Sequence, residues 1–447
     1  MADSNASLGS RSPFADMAPV KFEGVSSDNP LAYRYYDKDQ MVLGKRMEDH
    51  LRMAVCYWHT FCWDGFDVFG AGTFNRPWQR TGNDRAAADA RMAAAFDFFK
   101  VLGLPFYCFH DEDITEASDT PDELSNNFKR QTDRLAGYQE ETGVKLLWGT
   151  AKLFGHPRYA AGGLTNPDPE VAACAIRQIR DCLEATHKLG GANYVLWGGR
   201  EGYDTLLNTD LTRELENFGR FLSMVVEHKH KLGFDGKILI EPKPHEPMYH
   251  QYDFDVATIY GFLKRFDLLG EVHVNIEPNH STLSGHSFSH EVATAVSLGM
   301  MGSIDINTGN YQNGWDTDQF HLDIRDITLA LVELLPSGGL DTGGFNFDAK
   351  VRRQSSDEID LVYAHVGGVD ALARALLSAA DIVERGEIQA FKDERYAGWK
   401  GELGQRMLSP DASLETIADH AASAGLDGKH TSGRQEYLEN LVNRSLK

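Results

Sequence analysis

Disulfide chemistry has little to work with in this chain. The five cysteines, Cys56, Cys62, Cys108, Cys174 and Cys182, are an odd number in 447 residues and form no CxxC pair. This excludes a disulfide framework and the usual zinc ribbons, and it points to a reducing compartment, the cytoplasm. Basic charge is short as well. Forty-four Lys and Arg stand against 66 Asp and Glu, a formal net charge of −22, so a nucleic-acid partner is not expected. No stretch reaches the ~20 apolar residues of a membrane span. The opening MADSNASLGSRSPFADMAP lacks the apolar core of a secretory signal. No GxGxxG follows the first apolar run, which disfavours a dinucleotide fold.

What is present is a regular alternation. From about residue 50, short apolar runs rich in β-branched and aromatic residues are followed by longer segments with apolar residues three and four apart. The runs are MAVCYWH (53–59), PFYCFHD (105–111), KLLWGTA (145–151), NYVLWGG (193–199), KILIEPK (237–243), VHVNIEP (272–278), MGSIDIN (301–307) and GGFNFDA (343–349). RAAADARMAAAFDFFKVLG and PEVAACAIRQIRDCLEATHKLG typify the intervening helices, each closed by glycine. Eight strands alternating with helices predict an α/β fold, a closed (β/α)8 TIM barrel. An open doubly wound sheet is the alternative. The expected organisation is an N-terminal arm (1–45), a catalytic barrel (46–385) and a C-terminal helical extension (386–447). That extension is polar and has little core of its own, which suits contacts with another subunit.

In such a barrel, chemistry sits at the carboxyl ends of the strands. Four consecutive strands end in acids there: Glu241, Glu277 (followed by His280), Asp305 and Asp348, and the loop after the seventh adds Asp316 and Asp318. A single acid at a strand end is more often a helix cap or an ion-pair partner. Six converging on one mouth repel unless cations lie among them. Two divalent ions, with Lys243 and Lys350, would balance the charge. Carboxylates plus one imidazole suit Mg²⁺ or Mn²⁺ better than Zn²⁺. A second cluster closes strand two, where His110 would face the mouth and Asp113 could orient its ring for proton transfer. Trp58, Trp63, Phe69, Phe154 and Trp197 could stack on a sugar face and exclude water, or simply cover the core.

These residues resemble the xylose isomerase family. The resemblance is carried by FYCFHDED (106–113), YVLWGGREGYDTLLNTD (194–210), LIEPKPHEP (239–247), VNIEPNHSTLSGH (274–286), SIDINTGN (303–310), WDTDQF (315–320) and GGFNFDAK (343–350). The chain length and the WGGREGY wording are similar to the longer, class II branch. The resemblance implies an enzyme that interconverts D-xylose and D-xylulose, and D-glucose and D-fructose. It implies two Mg²⁺ per subunit, with Mn²⁺ or Co²⁺ as alternatives, and a homotetramer. Glu241, Glu277, Asp305 and Asp348 would hold the first ion. Glu277, His280, Asp316 and Asp318 would hold the second, with Glu277 bridging. His110 and Asp113 would assist ring opening, and Lys243 would bond the carbonyl oxygen at C1. Trp58, Phe154 and Trp197 would line the sugar site, Phe69 would reach a neighbouring subunit's pocket, and Glu246–Pro247 would be cis. The family transfers hydride from C2 to C1; the residues alone also allow a cis-enediol route. A metal-dependent phosphoesterase and a non-catalytic sugar-binding protein are the rival readings. The first would need a basic approach surface, and the second would need neither two metals nor a His–Asp pair.

Overall fold

The computed structural model describes residues 12–79 and 84–447. Eight parallel strands close into a barrel: β1 Ala54–Cys56, β2 Phe106–His110, β3 Lys145–Thr150, β4 Asn193–Trp197, β5 Lys237–Glu241, β6 Val272–Ile276, β7 Met301–Asp305 and β8 Phe345–Phe347. Each lies within one of the apolar runs in the sequence. Consecutive strands are neighbours, and β8 closes on β1 through Asn346 opposite Ala54 and Phe347 opposite Val55. The open doubly wound alternative is thereby excluded.

A long helix follows each strand: α1 Arg85–Leu102, α2 Pro121–Thr142, α3 Pro169–Lys188, α4 Leu211–Leu232, α5 Val256–Arg265, α6 Phe288–Ser297, α7 Ile324–Leu334 and α8 Glu358–Arg385. Their ends are specified locally. Asp84, Thr120, Asp168, Asp210, Asp255, Ser287 and Asp323 each accept a backbone N–H of the first turn, satisfying donors the helix leaves unpaired. Pro121 and Pro169 stand in the first turn of α2 and α3, where their missing N–H costs nothing.

Side-chain alternation along the strands sorts the core into two parts. Outward residues such as Val55, Tyr107, Phe109 and Ile240 pack with the helices. Inward residues Ala54, Phe106, Cys108, Leu147, Trp148, Val195 and Leu239 fill the barrel; Leu147 and Trp148 are adjacent because the register of β3 against β2 shifts by one residue there. The same alternation carries inward-facing Phe106 and Cys108 on to His110, and Leu239 on to Glu241. On the opposite wall the interior is polar: Asn275, Ser303, Asp305 and Asn346 are fully buried. Asn275 Nδ2 donates to Glu241 Oε2 at 3.1 Å and Asn346 Nδ2 to Asp305 Oδ1 at 2.9 Å. These amides fix the first carboxylates from below.

The described N-terminal residues run across α1 and α8. Phe14 packs edge-on to Phe98, and Asp370 accepts the backbone N–H groups of Arg34, Tyr35 and Tyr36. Beyond α8 come α9 Glu387–Arg395, α10 Glu402–Leu408, α11 Leu414–Ser423 and α12 Gln435–Ser445. Helices α9 to α11 bury almost no side chain, but α12 returns to the barrel with Val442 buried, and Arg325 Nε donates to Asn443 Oδ1. No helix among the described residues is long and apolar enough to cross a membrane.

Candidate active site

The rim of strands β5 to β8 brings the acids together. One carboxylate oxygen from each of Glu241, Asp305 and Asp348 falls within a 4.8 Å group, and so does one from each of Glu277, Asp316 and Asp318. His280 lies between the groups. It sits in a single-turn helix, Pro278–Leu283, that Glu277 begins. Its Nε2 is 3.0 Å from Glu277 and 3.3 Å from Asp316, and its Nδ1 is 3.5 Å from Glu241. All seven ligand candidates are thus gathered in one place.

The cluster is electrostatically frustrated as a protein-only arrangement. Burial first, and then the charges of Asp305 and Asp348, push Glu241 well above the usual carboxylate range. Burial and Asp316 with Asp318 do the same to Glu277, and burial with Asp348 to Asp305. Asp305 Oδ2 is buried with no hydrogen-bond donor among the described residues. Buried acceptors facing one another in this way fit a pair of oxygen-seeking dications, with the imidazole of His280 as the one nitrogen donor.

Part of the charge is balanced by side chains. Lys243 Nζ lies 2.5 Å from Asp316 Oδ2 and Lys350 Nζ 2.9 Å from Asp318 Oδ2. Burial alone would lower the Lys243 ammonium, but Asp316, Glu277 and Asp318 raise it above its ordinary value. His59, a residue the sequence did not single out, is 3.1 Å from both Asp318 and Asp348. Burial opposes its protonation, yet those two acids lift it to about 9. Trp58 Nε1 donates to Asp348 Oδ1 at 2.7 Å. Both residues open the π-helical turn Trp58–Cys62. Asn307 is a further side chain that the sequence did not single out. Its Nδ2 donates to Glu277 Oε1 at 2.7 Å, to Asp318 Oδ1 at 3.2 Å and to the Asp348 carbonyl at 2.9 Å.

Across a cavity of about 160 Å³ from these acids stands His110. Its Nδ1–H donates to Asp113 Oδ2 at 3.0 Å, and the same oxygen takes the His110 backbone N–H at 2.9 Å. Burial works against the Asp113 carboxylate, but His110 and Lys152 hold it below its ordinary value, so it remains an acceptor and engages His110 through Nδ1 rather than Nε2. Trp58, Phe154 and Trp197 line the same cavity, joined by Trp148, Thr150 and Val195. Phe154 meets Trp197 edge-on at 4.4 Å, and Lys243 Nζ lies 5.3 Å from the Trp197 ring centre.

Phe69 stands apart. It is 78% exposed, does not line the cavity, and its ring centre lies 6.2 Å from that of Trp315. Trp63 also lies outside the cavity, packed against Phe74. Glu246–Pro247 is cis. A larger cavity of about 550 Å³ lies behind Asp113 but meets none of the rim carboxylates, so size does not mark the reactive centre here.

Comparison with known proteins agrees with this geometry. The chain is 60% identical over 431 residues to a xylose isomerase of Novosphingobium aromaticivorans, covering 96% of this chain and 99% of the relative. It is 60% identical over 433 residues to one of Solibacter usitatus, covering 97% and 99%. The family model of the XylA2 C-terminal domain matches residues 392–446. A solved Rhodospirillum rubrum structure, provisionally designated a xylose isomerase, shares 14% identity at a TM-score of 0.50 over 72% of this chain and 98% of its own. At that distance the likeness concerns the fold alone.

Proposed function

The chain belongs to the xylose isomerase family, and we propose that it interconverts D-xylose and D-xylulose, and D-glucose and D-fructose, by ring opening followed by transfer of hydride from C2 to C1. It is an isomerase of a metal-dependent family. The observation that carries the reading is the placement of six carboxylates and His280 across a small aromatic cavity from an Asp-oriented histidine.

Glu241, Glu277, Asp305 and Asp348 would hold one dication, and Glu277, His280, Asp316 and Asp318 the other, with Glu277 common to both. We assign these as two Mg²⁺, replaceable by Mn²⁺ or Co²⁺, because the donors are almost all oxygen. When bound, the pair supplies Lewis acidity toward the sugar's oxygens and fixes their positions. The remaining work falls to side chains. His110 Nε2, its tautomer set by Asp113, moves the proton between the ring oxygen and the C1 hydroxyl oxygen as the ring opens. Lys243 presents its ammonium to the carbonyl oxygen at C1, where negative charge develops as hydride arrives. Trp58, Phe154 and Trp197 cover the apolar face of the chain and keep water from C1 and C2.

Three further assignments follow. Residues 1–45, 46–385 and 386–447 are read as arm, catalytic barrel and extension. Exposed apolar side chains on the extension, Tyr396, Trp399, Leu408 and Leu414 among them, suit burial against other subunits in a homotetramer, and exposed Phe69 suits entry into a neighbour's pocket. The free state of all five cysteines suits the cytoplasm.

The test compares xylose isomerisation with phosphodiester hydrolysis, each with and without EDTA, and adds xylose deuterated at C2. Isomerase activity lost to EDTA, with label kept in the product, is expected. Hydrolysis without isomerisation would overturn the reading, and wholesale loss of label to water would replace the hydride route with an enediol.

A further inference from the structure

We propose that His286, His290 and Glu291 form a third metal site, separate from the two ions of the catalytic cavity and selective for a nitrogen-seeking transition metal such as Zn²⁺. One ring nitrogen from each histidine and one carboxylate oxygen of Glu291 lie within 4.8 Å of one another. His286 Nε2 is 3.9 Å and His290 Nε2 4.0 Å from Glu291 Oε1, and the two imidazole rings are 4.6 Å apart at 32°. Asp255 Oδ2 stands 3.2 Å from His286 Nε2, where a fourth ligand would be. A tetrahedral zinc with ligands near 2.0–2.1 Å has ligand–ligand edges of about 3.4 Å. The observed spacings of 3.2, 3.9 and 4.0 Å bracket that edge; His286, His290 and Glu291 make up the preformed group, with Asp255 beside it at His286.

Two of the four groups are already held in place. Glu291 is 3% exposed and its Oε2 accepts the Val256 N–H at 3.0 Å. Asp255 Oδ1 accepts the Thr258 N–H at 2.7 Å as the cap of α5. The remaining atoms, Glu291 Oε1 and Asp255 Oδ2, both point at His286. Nitrogen supplies half of this donor set, against one donor in seven at the rim of the barrel. Mg²⁺ has little use for imidazole, whereas Zn²⁺ prefers it. The site would join the start of α5 to the start of α6. Those helices follow the strands that deliver Glu241 and Glu277, so a metal there would brace the loops behind the catalytic rim without touching the sugar.

Equilibrium dialysis of EDTA-stripped enzyme against ZnCl₂ and, separately, MgCl₂ tests this. Wild type should hold one more equivalent of Zn²⁺ than of Mg²⁺, and Zn²⁺ should raise its thermal midpoint. His290 has a side chain 55% exposed, so His290→Ala should fold normally. It should lose that one equivalent and part of the Zn²⁺-dependent rise in midpoint, with Mg²⁺ count and Mg²⁺-supported turnover unchanged. His286→Gln should behave alike. Equal Zn²⁺ counts in wild type and both variants would overturn the proposal. The Mg²⁺ count reports separately on the catalytic pair.

Discussion

His365 supplies a quantitative test of how the barrel is held together. It is fully buried on α8, with ring centres 5.1 Å from Phe98, 4.9 Å from Phe320 and 5.8 Å from Phe347. Its Nδ1–H donates to the Leu361 carbonyl at 2.7 Å, and its Nε2 has no hydrogen-bond partner among the described residues. Protonation would place a charged N–H among three phenyl rings with nothing to accept it, and burial lowers the pKa from 6.5 to about 4. Between those values the unfolded chain binds more protons than the folded one. The contribution is therefore complete above pH 6.5 and is lost as pH falls toward 4, at up to ~1.4 kcal/mol per unit. From pH 7 to pH 5 the loss from this residue alone is about 2 kcal/mol. His365→Leu keeps an apolar filling and removes the titration. Urea unfolding of both proteins at pH 7 and pH 5, with Mg²⁺ saturating throughout, should show the variant gaining about 2 kcal/mol on wild type over that interval. An unchanged difference would refute the claim that this imidazole must stay neutral in the fold.

Other outcomes follow from the rim. Glu277→Ala should weaken both Mg²⁺ sites and lower kcat/KM by more than the roughly 10–100-fold that loss of a ligand's hydrogen-bond partner costs; metal titration with steady-state kinetics checks it, and normal turnover would refute the bridging role. Asn307→Ala removes the donor shared by Glu277 and Asp318 and should weaken Mg²⁺ binding by about 10–100-fold, read by calorimetry. His110→Asn should slow conversion of cyclic aldose by about 10²–10⁴-fold while slowing the open-chain form far less; equal slowing of both would exclude a ring-opening role.

The barrel could be read from sequence because inward and outward residues of each strand are both apolar in the lower layers, giving continuous runs such as KILIE and NYVLW. The acids at strand ends were legible for the same reason: each interrupts an apolar run at the position where a barrel exposes its mouth. His59 escaped because one histidine beside Trp58 carries no spacing signal. Only the π-helical turn Trp58–Cys62 brings it to Asp318 and Asp348, residues distant in sequence. Asn307, just past the end of β7, escaped because a lone asparagine in a loop carries no spacing signal; the buried amides of Asn275 and Asn346 escaped because asparagine in a strand reads as a weak former, and its use beneath a carboxylate becomes visible only when neighbouring strands are in register. Val442 sits in a polar tail, and nothing local distinguishes it as the residue that returns α12 to the barrel.

The central claim is that the rim of β5 to β8 holds two dications in one continuous bed of carboxylates. Calorimetric titration of EDTA-stripped enzyme with MgCl₂ measures it directly. Two equivalents per chain are expected in wild type, with both weakened together by Glu277→Ala. One equivalent or none, or two that respond to that substitution independently, would contradict it.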